Sequence, residues 1–345
     1  MNLPELHLSR PGVAFPAHRV DNAETIRRVR ERFKGTSDEF ATLASAIEHV
    51  FGLCKTQVRY IEPNVRPGSV AELGIAAIND CLEANAVSLN EVDLVICGSI
   101  ARQYFEPATA MEVAAKLGLK RTHAFDVTAA CVGHLEAMQT AAAYLTLHPE
   151  YRTALVFTSE LSDHFLSYDI QTVRDLQRKT AGLTIGNAAG CVLLRRTPFP
   201  RGGIRMQAIH TFTAPDHWHL CQVPIDGTLV SSSVELMRLG KYIPPFVAER
   251  LAALGLTPDQ IDHYIFHQPS EIMVRKILED IGVDPAKGVY THALYGNTAS
   301  ASVSVTYRQL LQDRPVRAGD KLVLGSAAAG YSMVMVTGTW TGAQS

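Results

Sequence analysis

The stretch AFDVTAACVGH, residues 124–134, decides the fold of this chain, because a strand, a turn and the start of a helix follow one another within it. An apolar strand runs into small side chains, and an amphipathic stretch over 132–146 then predicts a helix. Cys131 lies where that helix opens, among unpaired backbone N–H groups, and such a placement can lower a thiol pKa from about 8.5 to between about 3.5 and 7.5. Cys131 is therefore a candidate nucleophile. A small buried hydrophobe is the alternative at this point.

On both sides of this stretch, apolar runs alternate with longer helical patterns, as in a layered α/β protein. The predicted buried strands lie at 93–97, 154–157 and 321–324. The predicted helices cover 70–85, 107–117, 132–146, 243–254 and 270–282.

The chain also repeats itself over a long period. Residues 89–96 and 257–265 share a pattern in which a short polar turn leads into an apolar strand, and their aspartates, Asp93 and Asp262, lie 169 positions apart (262 − 93). Each half later shows a strand, a small-residue turn and a helix, the second time from residue 289. The repetition favours a pair of duplicated α/β units.

The stretch PFPRGG at 198–203 is the predicted joint between the units. We therefore expect an N-terminal half at 1–197, which carries Cys131, and a C-terminal half at 198–345.

Composition restricts the class of protein. With 32 basic and 34 acidic residues the formal charge is −2, which gives no electrostatic footprint for nucleic acid. Residues 1–12 lack the pattern of a secretory signal, and no apolar run reaches the roughly 18 residues that a membrane-spanning helix needs. The six cysteines form no CxxC pair. We expect a cytoplasmic protein with reduced thiols, no metal site and no membrane or nucleic-acid partner.

Two further motifs carry polar side chains that suit catalysis. In YIFHQP, residues 264–269, a strand ends at His267, and in ALYGNTASAS, residues 293–302, a Gly-Asn turn at Asn297 leads into a helix. Alone, each has a structural alternative, a buried histidine and a helix cap. Together with Cys131 they fit nucleophilic catalysis with two polar partners.

These motifs resemble the Cys-His-Asn site of the β-ketoacyl-acyl-carrier-protein synthase III group in the thiolase superfamily. The resembling segments are DVTAAC (126–131), HQP (267–269), YGNTASAS (295–302), GNAAGC (186–191), GSAAAGY (325–331) and TSDEF (36–40). The resemblance implies an α/β fold of the thiolase-like, duplicated αβαβα layered type. It also implies an acyltransferase that uses acyl-CoA or acyl-carrier-protein thioesters as substrates and needs no cofactor. A homodimer is implied as well, and it would cover the apolar segments 91–98 and 153–158.

The resemblance further implies a mechanism. An acyl group is loaded as a thioester on Cys131 and then joined to a malonyl-type thioester by decarboxylative Claisen condensation, assisted by His267 and Asn297. The backbone N–H groups of Cys131 and Gly330 form the oxyanion hole. Two alternatives stay open: transfer of the acyl group to a hydroxyl or amine with His267 as general base, and a non-catalytic partner subunit.

Several positions depart from the family pattern and concern the substrate. Phe40 stands where the family has tryptophan, and Glu106 stands where an aromatic side chain of the dimer partner lines the acyl pocket. His134 follows Cys131 by three residues and could share its helix face. We expect these three residues at the substrate pocket. With Ile272 in place of a family arginine, they suggest a specialised relative in polyketide or fatty acid biosynthesis, not the enzyme that initiates fatty acid synthesis.

Overall fold

The fold is described for residues 5–343 of a computed structural model, which contains strands β1 to β14 and helices α1 to α11. The strands are Leu6–Leu8, Gly12–Ala14, His18–Asp21, Val58–Ile61, Val92–Cys97, His123–Asp126, Thr153–Glu160, Ala188–Arg195, Ile204–Thr213, Cys221–Gln222, Val230–Ser231, His263–Phe266, Lys321–Ala328 and Ser332–Trp340. The helices are Asn22–Arg30, Ser37–Cys54, Ser69–Asn85, Thr109–Lys116, Gly133–Leu147, Val173–Thr184, Ser233–Leu239, Ile243–Ala252, Glu271–Asp280, His292–Tyr295 and Ser302–Asp313.

Within the described residues, one ten-stranded sheet has the order β12-β13-β14-β9-β1-β8-β7-β5-β6, and β2 pairs with β8 beside this path. The same arrangement occurs twice. β5 and β7 are parallel and β7 and β8 antiparallel, just as β12 and β13 are parallel and β13 and β14 antiparallel. The two copies meet where β1 pairs with both β8 and β9.

Five layers follow from the helix positions. α5 packs against β5, β7 and β8 and also against β14, and α11 packs against β8, β12 and β13, so these two helices lie between the two parts of the sheet. α3 and α4 cover the outer face of the N-terminal part, and α8 and α9 cover that of the C-terminal part. Every residue of β7 is buried, as in a strand covered on both faces. The predicted αβαβα fold is confirmed.

The 169-residue repeat reappears in the structure. Short 3-10 turns at Leu89–Glu91 and Pro258–Gln260 are offset by 169 (258 − 89), and each begins with a capping box. α5 begins at Gly133 and α11 at Ser302, again 169 apart (302 − 133). The boundary between residues 197 and 198 itself stays a prediction.

The predicted elements correspond to the observed ones within a few residues, with one exception. The strand expected from residue 289 is reduced to a single bridge between Gly288 and Tyr264, followed by the short α10. Here the backbone N–H of Thr291 bonds to the Gln268 side chain, at 3.2 Å, so a side chain replaces a ladder partner.

The argument for a homodimer from uncovered strands is wrong. β5 and β7 are interior strands and are already buried in the single chain. The homodimer itself stays a prediction. Among residues 5–343, no helix combines the length and apolar character that crossing a bilayer requires.

Candidate active site

Cys131 lies in a tight connection between β6 and α5. The Asp126 carboxylate, at the end of β6, accepts hydrogen bonds from the backbone N–H groups of Thr109 (2.8 Å) and Ala110 (2.9 Å) at the start of α4. A 3-10 turn at Ala130–Val132 then leads into α5. The Ser326 hydroxyl on β13 donates to the Cys131 carbonyl at 3.0 Å. Both parts of the chain thus hold the backbone that carries the thiol.

The thiol of Cys131 is not activated by its place before the helix, contrary to the sequence-based expectation. Burial raises its pKa well above the usual range, and the neighbouring Cys221 and Glu160 raise it further. α5 begins two residues later, at Gly133, so desolvation outweighs the helix terminus. Cys131 is therefore a protonated thiol at neutral pH.

His267 directly follows the last residue of β12. Its backbone N–H donates to the Gly325 carbonyl on β13 at 2.8 Å, which fixes the backbone at this position. The side chain is buried, and among the described residues its Nδ1 has no hydrogen-bond partner. Burial lowers the pKa of His267 to about 3, and the nearby His292 contributes. The imidazole is neutral at physiological pH and can accept a proton.

Asn297 is fixed by its backbone and by its own side chain. Its N–H donates to the Thr184 carbonyl at 2.8 Å, and its carbonyl accepts from the Gly186 N–H at 3.0 Å. Gly296 before it has φ 68°, and a Cβ there would lie 2.5 Å from the Thr184 carbonyl oxygen, so glycine is required. Because the Asn297 Oδ1 accepts from the Ala299 N–H at 3.0 Å, the amide NH2 is the group that can act on a ligand.

Cys131, His267 and Asn297 line one cavity of about 280 Å³, close to the lower end of the range of about 300–1,000 Å³ usual for ligand pockets. The rest of its wall is mainly apolar and comes from α7, α8, α9, β13 and β14. These apolar residues include Leu236, Met237, Ile243, Phe246, Val247, Met273, Ile277, Met333 and Met335. Four of the chain's eight methionines are among them, and methionine adapts to ligands of different shape.

Phe40, Glu106 and His134 were expected at the substrate pocket. None of them lines this cavity in the single chain, so the expectation is corrected. His134 is fully buried in the middle layer, where its Nε2 lies 2.8 Å from the Ser304 Oγ. Phe40 packs against Phe33, with the rings 5.5 Å apart. Glu106 is exposed and lies outside the cavity of the single chain.

The expected oxyanion-hole residue Gly330 lies in the turn between β13 and β14, with φ 76°. Its neighbours Ala329 and Tyr331 line the cavity. Its role as a donor to an oxyanion stays a prediction.

Other cavity residues were missed from the sequence. Cys54 ends α2, and Cys221 begins β10, and both line the cavity with Cys131. Thr180 lines it too, and so does Ser326, which lies in the GSAAAGY segment but was not singled out there. No local motif marks Cys54, Thr180 or Cys221, because they meet only when α2 packs against α9 and α6 packs against α7 and β11.

Three family models match parts of this chain. The family model described as 3-oxoacyl-[acyl-carrier-protein] synthase III matches residues 125–214, and the model of its C-terminal part matches residues 251–340. The model of the thiolase N-terminal domain matches residues 50–149.

Two relatives and one solved structure cover nearly the whole chain. A β-ketoacyl-[acyl-carrier-protein] synthase III of Rhodospirillum rubrum is 29% identical over 332 residues, 93% of this chain and 95% of that protein. An acyl-CoA:acyl-CoA alkyltransferase of Xanthomonas campestris is 24% identical over 338 residues, 95% of this chain and 98% of that protein. A crystal structure of Xanthomonas campestris OleA with bound lauric acid and lauroyl-CoA has a TM-score of 0.85 at 22% identity and covers 98% of this chain and 100% of that one.

The matched models span the segments that carry Cys131, His267 and Asn297, and the layered fold is that of the solved relatives. The chain therefore belongs to the β-ketoacyl-acyl-carrier-protein synthase III-like family of the thiolase superfamily.

Proposed function

We propose that this protein is an acyl-transferring condensing enzyme that loads an acyl group on Cys131 and joins it to a malonyl-type thioester. The observation that carries the proposal is the convergence of Cys131, His267 and Asn297, from three separate turns, on one apolar cavity. Its relatives of similar length are named as condensing and alkyl-transferring enzymes.

In the loading step, the Cys131 sulfur attacks the carbonyl carbon of the acyl thioester and the thiol proton leaves. This proton goes to the sulfur of the departing carrier thiol, so loading does not require His267 as a base. The carbonyl oxygen becomes an oxyanion that the N–H groups of Cys131 and Gly330 stabilise, and each such donor contributes about 3 to 4 kcal/mol. The carrier thiol takes the proton as it leaves, and the acyl group stays on sulfur.

In the condensation step, the second thioester places its carbonyl oxygen between His267 and Asn297. Loss of carbon dioxide leaves an enolate whose oxygen accepts hydrogen bonds from the Asn297 amide and an imidazole N–H of His267. The enolate carbon attacks the acyl carbonyl, the bond to the Cys131 sulfur breaks, and a β-ketoacyl thioester forms. The released Cys131 thiolate takes up one proton from solvent, which balances the loss of the malonyl carboxylate as carbon dioxide.

The acyl group is proposed to be an apolar chain. The cavity wall includes methionine, leucine, isoleucine, valine and phenylalanine side chains, and burial of a methylene group against them contributes about 0.8 kcal/mol. Delivery by coenzyme A or by an acyl-carrier protein is proposed from the names of the relatives.

A second candidate is condensation of two acyl-CoA molecules, without a malonyl group. It is favoured by the alkyltransferase relative, which matches 95% of this chain. The two candidates differ in whether carbon dioxide is released.

The test measures loading and condensation separately. Intact-protein mass spectrometry after incubation with acetyl-, hexanoyl-, octanoyl- and lauroyl-CoA detects the acyl-enzyme, and release of labelled carbon dioxide from malonyl-CoA detects condensation. We expect loading with the longer chains and carbon dioxide release that depends on it. A β-ketoacyl product without carbon dioxide release would replace the proposal by the second candidate. Acylation of an added alcohol or amine alone would replace it by simple acyl transfer.

A further inference from the structure

His292, a buried residue of α10, joins the segment that carries His267 to the N-terminal part of the chain. Its Nδ1 lies 3.0 Å from the backbone carbonyl oxygen of Gln268, the residue after His267. Its Nε2 lies 2.7 Å from the hydroxyl of Thr56, between α2 and β4. His292 has no place in the proposed chemistry, because it does not line the cavity.

The partners of His292 fix its tautomer. A carbonyl oxygen only accepts, so the Nδ1 carries the proton and donates to Gln268. The Nε2 then has a lone pair, and the Thr56 hydroxyl donates to it. Burial lowers the pKa of His292 to about 4, so the ring stays in this neutral form at physiological pH.

The side chain and the backbone N–H of Gln268 form hydrogen bonds with groups other than His292. The Gln268 N–H donates to the Ser302 hydroxyl at 2.9 Å, and its side-chain amide donates to the carbonyls of Phe266 and Val289, each at 2.9 Å. The group that His292 holds is the Gln268 carbonyl, which belongs to the Gln268–Pro269 peptide, one peptide beyond the bond between His267 and Gln268. A shift of this carbonyl changes the backbone torsion angles of Gln268 and, through them, the orientation of the chain at His267.

The backbone of Thr56, the second partner of the His292 ring, is also held by hydrogen bonds. Its N–H donates to the Phe51 carbonyl at 3.0 Å, and its carbonyl accepts from the Asn22 side-chain amide at 2.8 Å. Cys54, two residues earlier, is part of the cavity wall. The Thr56 hydroxyl therefore has a fixed position from which to orient the His292 ring.

We infer that His292, oriented by the Thr56 hydroxyl, is a positioning residue that sets the place of His267 in the cavity. The inference rests on the proposed function in one respect, because the proposed function defines the condensation step in which the effect is expected. The expected effect is on condensation, which needs His267 at the second thioester, and much less on loading of Cys131.

The test compares Thr56→Val, which removes the donor at nearly constant shape, with Thr56→Ser, which keeps it. We expect Thr56→Val to lower kcat for carbon dioxide release by about ten- to a hundred-fold, the cost of a displaced catalytic group. KM for malonyl-CoA and acyl loading should stay near wild type, and Thr56→Ser should behave as wild type. Equal losses of loading and carbon dioxide release in Thr56→Val would overturn the inference.

A second readout does not depend on turnover. Nitrogen-15 NMR of the histidine rings, with the His267 signals assigned from His267→Ala, should show those signals displaced in Thr56→Val and unchanged in Thr56→Ser. Unchanged His267 signals in Thr56→Val would overturn the inference. If the wild type releases no carbon dioxide, the proposed function fails, while this NMR comparison still decides the role of His292.

Discussion

Ala130 and Ala299 occupy equivalent turns, 169 residues apart (299 − 130), and both have a left-handed backbone, with φ 46° and 47°. Each begins a 3-10 turn that leads into a helix of the middle layer, α5 after Ala130 and α11 after Ala299. The left-handed conformation raises the free energy of a residue with a Cβ by roughly 1–2 kcal/mol. Ala130 directly precedes Cys131, and Ala299 fixes Asn297 through the bond from its N–H. The same strained turn thus places a site residue in each repeat.

Replacement at Ala130 tests this strain. Ala130→Gly should leave the free energy of unfolding within about 1 kcal/mol of wild type, because relief of the strain offsets the greater freedom of the unfolded chain. Ala130→Val should lower it by more than about 2 kcal/mol, since a β-branched residue is a severe outlier at positive φ. Urea unfolding measures both values, and equal stability of the two variants would contradict the strained turn.

Cys131 should be the acylated residue. Cys131→Ala should acquire no acyl mass from the preferred acyl-CoA in intact-protein mass spectrometry. The matched control is the double variant Cys54→Ala, Cys221→Ala, which removes the other two thiols of the cavity and should still be acylated. Acylation of Cys131→Ala would show that another group is the nucleophile.

Asn297→Asp should separate condensation from loading. The new carboxylate can still accept the hydrogen bond from the Ala299 N–H, so the turn is kept, but the amide donor is lost and a negative charge faces the enolate. We expect carbon dioxide release to fall by about a hundred- to a thousand-fold, the usual cost of a lost oxyanion donor. Acyl loading of Cys131 should stay near wild type. Parallel loss of both would argue against an enolate role.

Buried neutral histidines should make the protein acid-labile. Burial lowers the pKa of His134, His267 and His292 to about 3, 3 and 4, from the usual 6.5. Below pH 6.5 the unfolded chain therefore binds protons that the folded chain does not, so stability falls as pH falls toward 4. The loss approaches about 1.4 kcal/mol per pH unit for each histidine.

Urea unfolding at pH 7, 6 and 5 measures this slope. His134→Gln, which keeps a polar partner for Ser304, should reduce the slope by roughly 1.4 kcal/mol per pH unit. His219→Gln, at an exposed histidine, is the control and should leave it unchanged. An unaltered slope in His134→Gln would mean that His134 is not neutral in the folded protein.

The chain should form a homodimer. β6 lies at the end of the sheet, where strand edges pair with other chains, and the aromatic side chain of Phe105 is 81% exposed near the exposed Glu106. Light scattering at micromolar concentration should give twice the chain mass of 37.6 kDa. Phe105→Ser should shift the protein toward the single-chain mass. A single-chain mass for the wild type would remove the prediction.

The sequence by itself determined the elements and the duplication. Apolar runs, small-residue turns and amphipathic periods depend on neighbours within a few positions, so β5, β7 and α5 could be predicted to within a few residues. The 169-residue spacing of Asp93 and Asp262 predicted a repeat, and the starts of α5 and α11 have the same spacing. Cys131, His267 and Asn297 could be singled out because each follows a recognisable strand or turn.

The tertiary structure alone decided the properties of these side chains and the wall of the cavity. Helix position favours a lowered pKa of Cys131, but burial by distant segments raises it, and desolvation depends on contacts that no local pattern encodes. His134 follows Cys131 by only three residues, and yet it lies in the middle layer beside Ser304. His292 lies within hydrogen-bond distance of Thr56, 236 positions earlier in the chain. Met273 and Met335 line one cavity. Only folding brings such separate segments together.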